Sequence, residues 1–287
     1  MHNKLKIISA MLIFGSIGIF VRYINLPSIE IAFFRAVIGS LFLICTGFIM
    51  KQKVSLKLIK EDMLILIVSG VTLGLNWIFL FQAYKYTSIS NATLSYYFAP
   101  VFVIILSPVI LKEKLTAKKI VCIIMAMAGL FLIVRVGSSN VTGSYNHIRG
   151  IMYGLLAAVF YASVILMNKF MKNLSGFETT LIQLMVAALV LFPSIIYQGN
   201  FNLSKISSTT WIFILIIGIL NTGIAYLLYF SSIKGLNGQS IAILSYIDPV
   251  TAVVMASVFL GEPITLVKII GGILILGSTS LSEISTS

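Results

Sequence analysis

Ten long apolar runs occupy almost the whole chain, at about 5–22, 28–50, 62–84, 90–111, 117–136, 149–170, 177–198, 209–233, 239–260 and 265–282. Each is close to the roughly 20 residues that a helix needs to cross the hydrocarbon of a bilayer. Between them lie short polar connections, the longer ones at 140–143 and 198–208. The expectation is an all-α polytopic membrane protein with ten transmembrane helices and no separate soluble domain. Composition agrees. Hydrophobic residues make up 59% of the 287 and charged residues 10%, against about 25% charged in an ordinary soluble domain. A water-soluble core could not use that much apolar surface, and disorder requires low hydrophobicity.

The net charge is +12. In a soluble protein that would suggest a nucleic-acid partner, but no basic run here is long enough to form an arm. If the chain starts on the cytoplasmic side, 13 of the 20 Lys and Arg fall on cytoplasmic segments, 6 on the other face and Arg35 within a helix. That asymmetry predicts a multi-pass protein of the cell membrane with both termini cytoplasmic. The first run, flanked by Lys4 and Lys6, resembles a signal peptide, but no small-x-small cleavage site follows it and it takes part in a repeat. Cys45 and Cys122 lie in apolar runs, and His2 and His147 outside them. No disulfide framework, haem, di-iron centre or zinc site is expected, and no cofactor or metal.

The chain is internally duplicated. At an offset of 149, Gly74 matches Gly223, Lys85 matches Lys234, Tyr97 matches Tyr246, Pro100 matches Pro249, Glu113 matches Glu262 and Thr116 matches Thr265. At an offset of 147, Ala10, Ser16 and Arg22 meet Ala157, Ser163 and Lys169. The reading is two repeats, 1–140 and 141–287, each of five helices. Five is odd, so the second copy must enter the membrane from the opposite side, and the repeats are inverted. Inverted repeats are a transporter device, with solute bound near the midplane between the halves.

Two charges stand inside the runs. Asp248 sits about 15 Å from either end of its helix, at the bilayer midplane. A carboxylate there is costly and points to function, with proton coupling as the proposed role. Its counterpart in the first repeat is Ala99. Arg35 lies about 10 Å inside the second helix. It could pair with Asp248, bind a carboxylate solute through its fork, or snorkel outward beside Glu30. Pro100 and Pro249 are expected as mid-helix kinks that free backbone carbonyls toward a central cavity. Asn76, Trp77, Asn91, Tyr96, Tyr97, Tyr161, Asn221, Tyr226 and Tyr246 are candidates for its walls, since pockets combine aromatic surface with a few placed polar groups. Lys85 and Lys234 end helices, where lysine offsets the dipole and snorkels. Glu113 and Glu262 are expected to anchor the turns they precede.

Ala99-Pro100-Val101 through Lys112-Glu113-Lys114-Leu115-Thr116, Asp248-Pro249-Val250 through Gly261-Glu262-Pro263-Ile264-Thr265, and Phe34-Arg35 resemble the drug/metabolite transporter superfamily with its paired EamA domains. The resemblance covers nearly the whole chain. It implies a ten-helix, exporter-like secondary transporter of small metabolites, working by alternating access about a central cavity. Members handle amino acids, nucleosides, toxic cations and other solutes, so the resemblance does not fix the substrate, and an amino acid or related solute is the expectation. The partners it implies are a small-molecule solute and the lipid bilayer. The first copy departs from the Gly-Glu-Pro form by reading Lys-Glu-Lys. An intramembrane enzyme is the alternative class, but no nucleophile with a base stands in the runs. A channel is a third, but neither a carbonyl filter nor a ring of acids is seen.

Overall fold

The computed structural model describes residues 2–52, 54–86, 92, 95–135, 146–171, 173–197, 206–260 and 265–284. Every regular element among them is helical: α1 (His2–Gly15), α2 (Ile17–Arg22), α3 (Ser28–Ile49), α4 (Leu56–Glu61), α5 (Met63–Tyr86), α6 (Ala99–Ile110), α7 (Ala117–Arg135), α8 (His147–Phe170), α9 (Gly176–Tyr197), α10 (Ser208–Ile216), a π-helical segment (Ile217–Ile224), α11 (Ala225–Ile233), α12 (Gly238–Leu244), α13 (Ile247–Leu260) and α14 (Leu266–Ile284). Among the described residues, seven stretches are long and apolar enough to cross a membrane: His2–Val21, Ile29–Ile49, Met63–Leu80, Ile148–Phe170, Gly176–Tyr197, Ser208–Ile233 and Gly238–Phe259. Large apolar side chains such as Phe48, Ile49, Leu64, Val109, Ile148, Leu189 and Val258 face outward. Such a surface suits lipid rather than water. The protein is a multi-pass membrane protein.

The prolines overturn one expectation. Pro100 does not kink a continuous helix: α6 begins at Ala99, and residues 97–98 form a turn before it. Pro249 likewise lies in the first turn of α13, after a turn at 245–246. The physical reason is that a first-turn N–H has no helical partner, so a ring that removes it costs little and presets φ for the helix. Among the described residues the chain therefore turns at corresponding places, 97–98 and 245–246, just before each proline. The prolines that do lie within helices are Pro108 and Pro193.

Packing is pairwise: α5 lies along α8, α7 along α14, α9 along α3, and α1 against α11 and α13. Small residues set the approach. A Cβ on Gly129 would overlap the Gly271 carbonyl, which brings α7 and α14 backbone to backbone. A Cβ on Gly15 would overlap Thr251 and the Asp248 carbonyl, which holds α1 against α13. Apolar helices gain little from the hydrophobic effect in lipid, so such close contacts and interhelical hydrogen bonds carry association. Gln183, fully buried on α9, donates to Ser69 Oγ on α5 at 2.6 Å and to Asn168 Oδ1 on α8 at 2.7 Å, tying three helices.

Candidate functional site

A cavity of about 300 Å³ opens among α1, α2, α3, α5, α8, α11 and the breaks before α6 and α13. Its wall includes Trp77, Tyr96, Tyr97, Tyr161 and Tyr226, expected there from the sequence, with the intramembrane charges Arg35 and Asp248, Pro100, and Phe14, Gly15, Leu80, Ser245 and Ala252. Asn76, Asn221, Tyr246 and Pro249 are placed behind this wall, and Asn91 lies outside the described residues.

The cavity is aromatic because four helices each turn a ring inward. Tyr96 stacks on Tyr161 at 5.6 Å and meets Tyr97 edge-on at 5.7 Å. Tyr226 packs edge-on against Phe14 at 5.0 Å and Trp77 at 6.0 Å. Trp77 Nε1 donates to the Tyr226 hydroxyl at 3.3 Å. Edge-on and offset geometries are those that the ring quadrupole favours.

The two intramembrane charges face this space by different routes. Arg35 is buried and turned inward, so the outward snorkel does not occur. Its Nε donates to Thr222 Oγ1 at 3.2 Å, and its guanidinium carbon lies 4.9 Å from the centroid of the Trp77 ring. Asp248 has the Tyr97 hydroxyl within hydrogen-bond reach. Among the described residues the two charges make no ion pair with each other.

The residues behind the wall hold it in place. Asn76 donates to the Ala157 carbonyl at 2.7 Å, fixing α5 to α8 beside Trp77. Asn221 donates to the Ile13 carbonyl at 2.5 Å and to Ser16 Oγ at 3.1 Å, pinning the π segment to the joint between α1 and α2. The Tyr246 hydroxyl reaches the Tyr97 carbonyl at 3.1 Å and the Met127 sulfur at 3.0 Å. A buried polar group without a partner costs about 1–3 kcal/mol, so these bonds offset much of the cost of carrying such residues, although Asn76 Oδ1 and Asn221 Oδ1 find no hydrogen-bond partner among the described residues.

Comparison with known proteins fits this arrangement. The profile of the EamA-like transporter family matches residues 4–135 and again 148–283. The chain belongs to the EamA-like transporter family. Among similar proteins of this kind, the uncharacterized transporter YxxF of Bacillus subtilis is 36% identical over 279 residues, covering 97% of this chain and 88% of its own. An uncharacterized transporter of Archaeoglobus fulgidus is 24% identical over 282 residues, covering 98% of this chain and 96% of its own. A solved crystal structure shares the fold, with a TM-score of 0.86 at 17% identity, over 99% of this chain and 96% of that one. The protein is thus a membrane transporter, and its relatives point away from an enzyme.

One end of this EamA-like transporter is drawn together by Glu113, Lys169 and Asn3. Glu113 was expected to anchor its own turn. It reaches across instead, accepting the Gly238 N–H at 2.8 Å and the Gln239 N–H at 3.3 Å. Lys169 Nζ donates to the Ile233 carbonyl at 3.2 Å and also to the Leu236 carbonyl. Asn3 packs against Gly235 so closely that a Cβ there would overlap it. The 233–239 connection is therefore gripped from α1, from the end of α6 and from the end of α8. Lys234 does not snorkel: its Nζ is buried with no hydrogen-bond partner among the described residues. That burial holds its ammonium below the ordinary value, against Glu178 and Asp62, whose charges raise it. Glu178 is itself held by the Ser55 and Ser175 N–H groups, at 2.8 Å each. Lys85 at the matched position is part of α5, and Glu262 lies outside the described residues.

Sequence reasoning missed Thr222 and the π segment. A Thr beside an Asn, flanked by Gly218 and Gly223 in an apolar run, was the available signal.

Proposed function

We propose that the protein is a secondary transporter that moves a small zwitterionic metabolite, an amino acid or a close relative, out of the cell by alternating access, with Asp248 carrying a coupled proton. The observation that carries this reading is the arrangement of charge. Arg35 and Asp248 line one aromatic cavity, each held by neutral partners rather than by the other. A solute bearing both a carboxylate and an ammonium would satisfy the two at once, and the rings would cover its apolar part. A carboxylate at midplane depth is costly enough that neutralisation by a proton or a cationic group becomes part of the working cycle.

The proposed architecture is ten membrane helices in two inverted repeats, 1–140 and 141–287, with both termini cytoplasmic. Two contacts support it. Trp77 touches Tyr226, and Tyr97 touches Tyr246, and both pairs are separated by 149 positions, the offset of the sequence repeat. Contacts between repeat mates are what a two-fold axis passing between the halves would produce. The two family matches, at 4–135 and 148–283, divide the chain at nearly the same place.

The test is transport in proteoliposomes with and without an imposed pH gradient, using a panel of amino acids, nucleobases and organic cations. Saturable amino-acid flux that responds to the gradient is the expected result. Failure of every solute to move would sink the reading, and flux of amino acids indifferent to the gradient would remove the proton from it.

A further inference from the structure

The π segment (Ile217–Ile224) stands beside the cavity without lining it, packed against α3 through Gly218 and Gly223. In a regular α-helix a threonine hydroxyl bonds the carbonyl three or four residues back. Thr222 instead donates to the Ile217 carbonyl, five residues back, at 2.9 Å. The wider turn commits the hydroxyl proton along the helix and leaves an oxygen lone pair directed sideways, where Arg35 Nε donates to it at 3.2 Å. Thr222 is fully buried. Single π turns inside α-helices occur frequently at functional sites.

The consequence for Arg35 is geometric. A guanidinium can grip a carboxylate side-on through Nε and one Nη, or end-on through both Nη groups. Thr222 occupies Nε, and Trp77 covers the face of the group at 4.9 Å. The end-on edge is what remains. We propose that Thr222, set by the π turn, is a positioning residue that fixes Arg35 so that its two Nη groups meet the carboxylate of the transported solute. This rests on the zwitterion reading above and adds to it a residue that decides between acids and amines without touching either.

The experiment is counterflow by the full-length protein in proteoliposomes, with matched probes: L-leucine against 3-methylbutylamine, and L-phenylalanine against 2-phenylethylamine. Each amine lacks only the carboxylate. Wild type, Arg35→Gln, Thr222→Val and Thr222→Ser are compared, with thermal unfolding midpoints as the check on folding. Thr222→Val keeps the shape and loses the hydroxyl. It is expected to raise KM for the amino acids about tenfold, with kcat and the amine KM changed by less than about twofold. Thr222→Ser restores the hydroxyl and should restore the low KM. Arg35→Gln should erase the preference for the acid altogether. If Arg35→Gln erases the preference and Thr222→Val does not alter it, the positioning role falls while the zwitterion reading stands. Equal losses for acids and amines in Thr222→Val would make Thr222 a packing residue and overturn the proposal. A wild type with no preference for the acids, or Arg35→Gln that keeps it, overturns both.

Discussion

α5 (Met63–Tyr86) and the stretch Ser208–Ile233 stand at matched places in the two family matches, offset by 149 residues. α5 is an unbroken helix, whereas its counterpart carries eight π-helical residues in the middle. Thr72 and Asn221 are matched in sequence. Thr72 turns its hydroxyl back on its own helix, donating to the Val68 carbonyl at 2.6 Å. Asn221 reaches out to two acceptors at the joint between α1 and α2. The same contrast holds one helix later, where Ala99 and Asp248 both line the cavity but only one is charged. At these two places the first half carries a threonine bonded to its own helix and an alanine, and the second half an amide bonded across helices and a carboxylate. The two copies of the family match therefore differ in polarity at corresponding positions, and the cavity draws its wall from both.

The charged member of the Ala99/Asp248 pair offers the largest test. Asp248→Asn keeps the shape and removes the charge, so gradient-driven transport in proteoliposomes should fall more than about tenfold, and solute binding measured by thermal shift should weaken with it, because the same carboxylate is proposed to meet the ammonium. Full coupling in that variant would place the two halves on an equal footing. The contact that crosses between halves comes next. Glu113→Ala leaves two N–H groups at the start of α12 without their carboxylate, and should cost about 2–3 kcal/mol of stability, read from unfolding in detergent. Glu113→Gln, which keeps one acceptor oxygen, should cost less. The Thr72/Asn221 contrast is finer. Asn221→Ala should cost about 1–2 kcal/mol and Thr72→Ala less than about 0.5 kcal/mol, since only the former breaks bonds between helices. Equal costs would erase the distinction drawn between the two helices. The smallest effect is expected at Lys234. Its folded pKa is depressed, so the charged form opposes folding below that pKa, and the opposition fades as pH rises toward the unfolded value. Lys234→Met should therefore leave the midpoint unchanged or raise it slightly at neutral pH, with the difference shrinking in alkaline buffer.

Much of this was legible in the sequence because it depends on composition along a line. The apolar runs announce helices, and Arg35 and Asp248 stand out because charge is rare in hydrocarbon. Trp77, Tyr96, Tyr97, Tyr161 and Tyr226 could be nominated because pockets combine aromatic surface with a few placed polar groups, and these apolar runs carry both. What could not be read were contacts set by distance in space. Pro100 and Pro249 look identical in sequence whether they kink a helix or begin one, since the choice depends on what the preceding turn packs against. Glu113 was credited to its own turn because nothing local reveals that Gly238 will lie opposite. Thr222 was passed over because an isolated hydroxyl in an apolar run ordinarily bonds its own helix. Its importance arises from one wide turn, which no local propensity encodes.

That wide turn also changes how the halves are to be aligned. A π bulge admits roughly one residue more than α geometry would, and one residue is about 100° of azimuth. Positions after Ile217–Ile224 are therefore turned, relative to those before it, by an angle that the numbers paired with them along α5 do not share. Residue numbering runs without a gap while the direction of the side chains slips. Equivalences carried from one half to the other, or from a relative that lacks the bulge, hold on one side of the segment and rotate on the other. The two copies keep time in sequence and fall out of step in space.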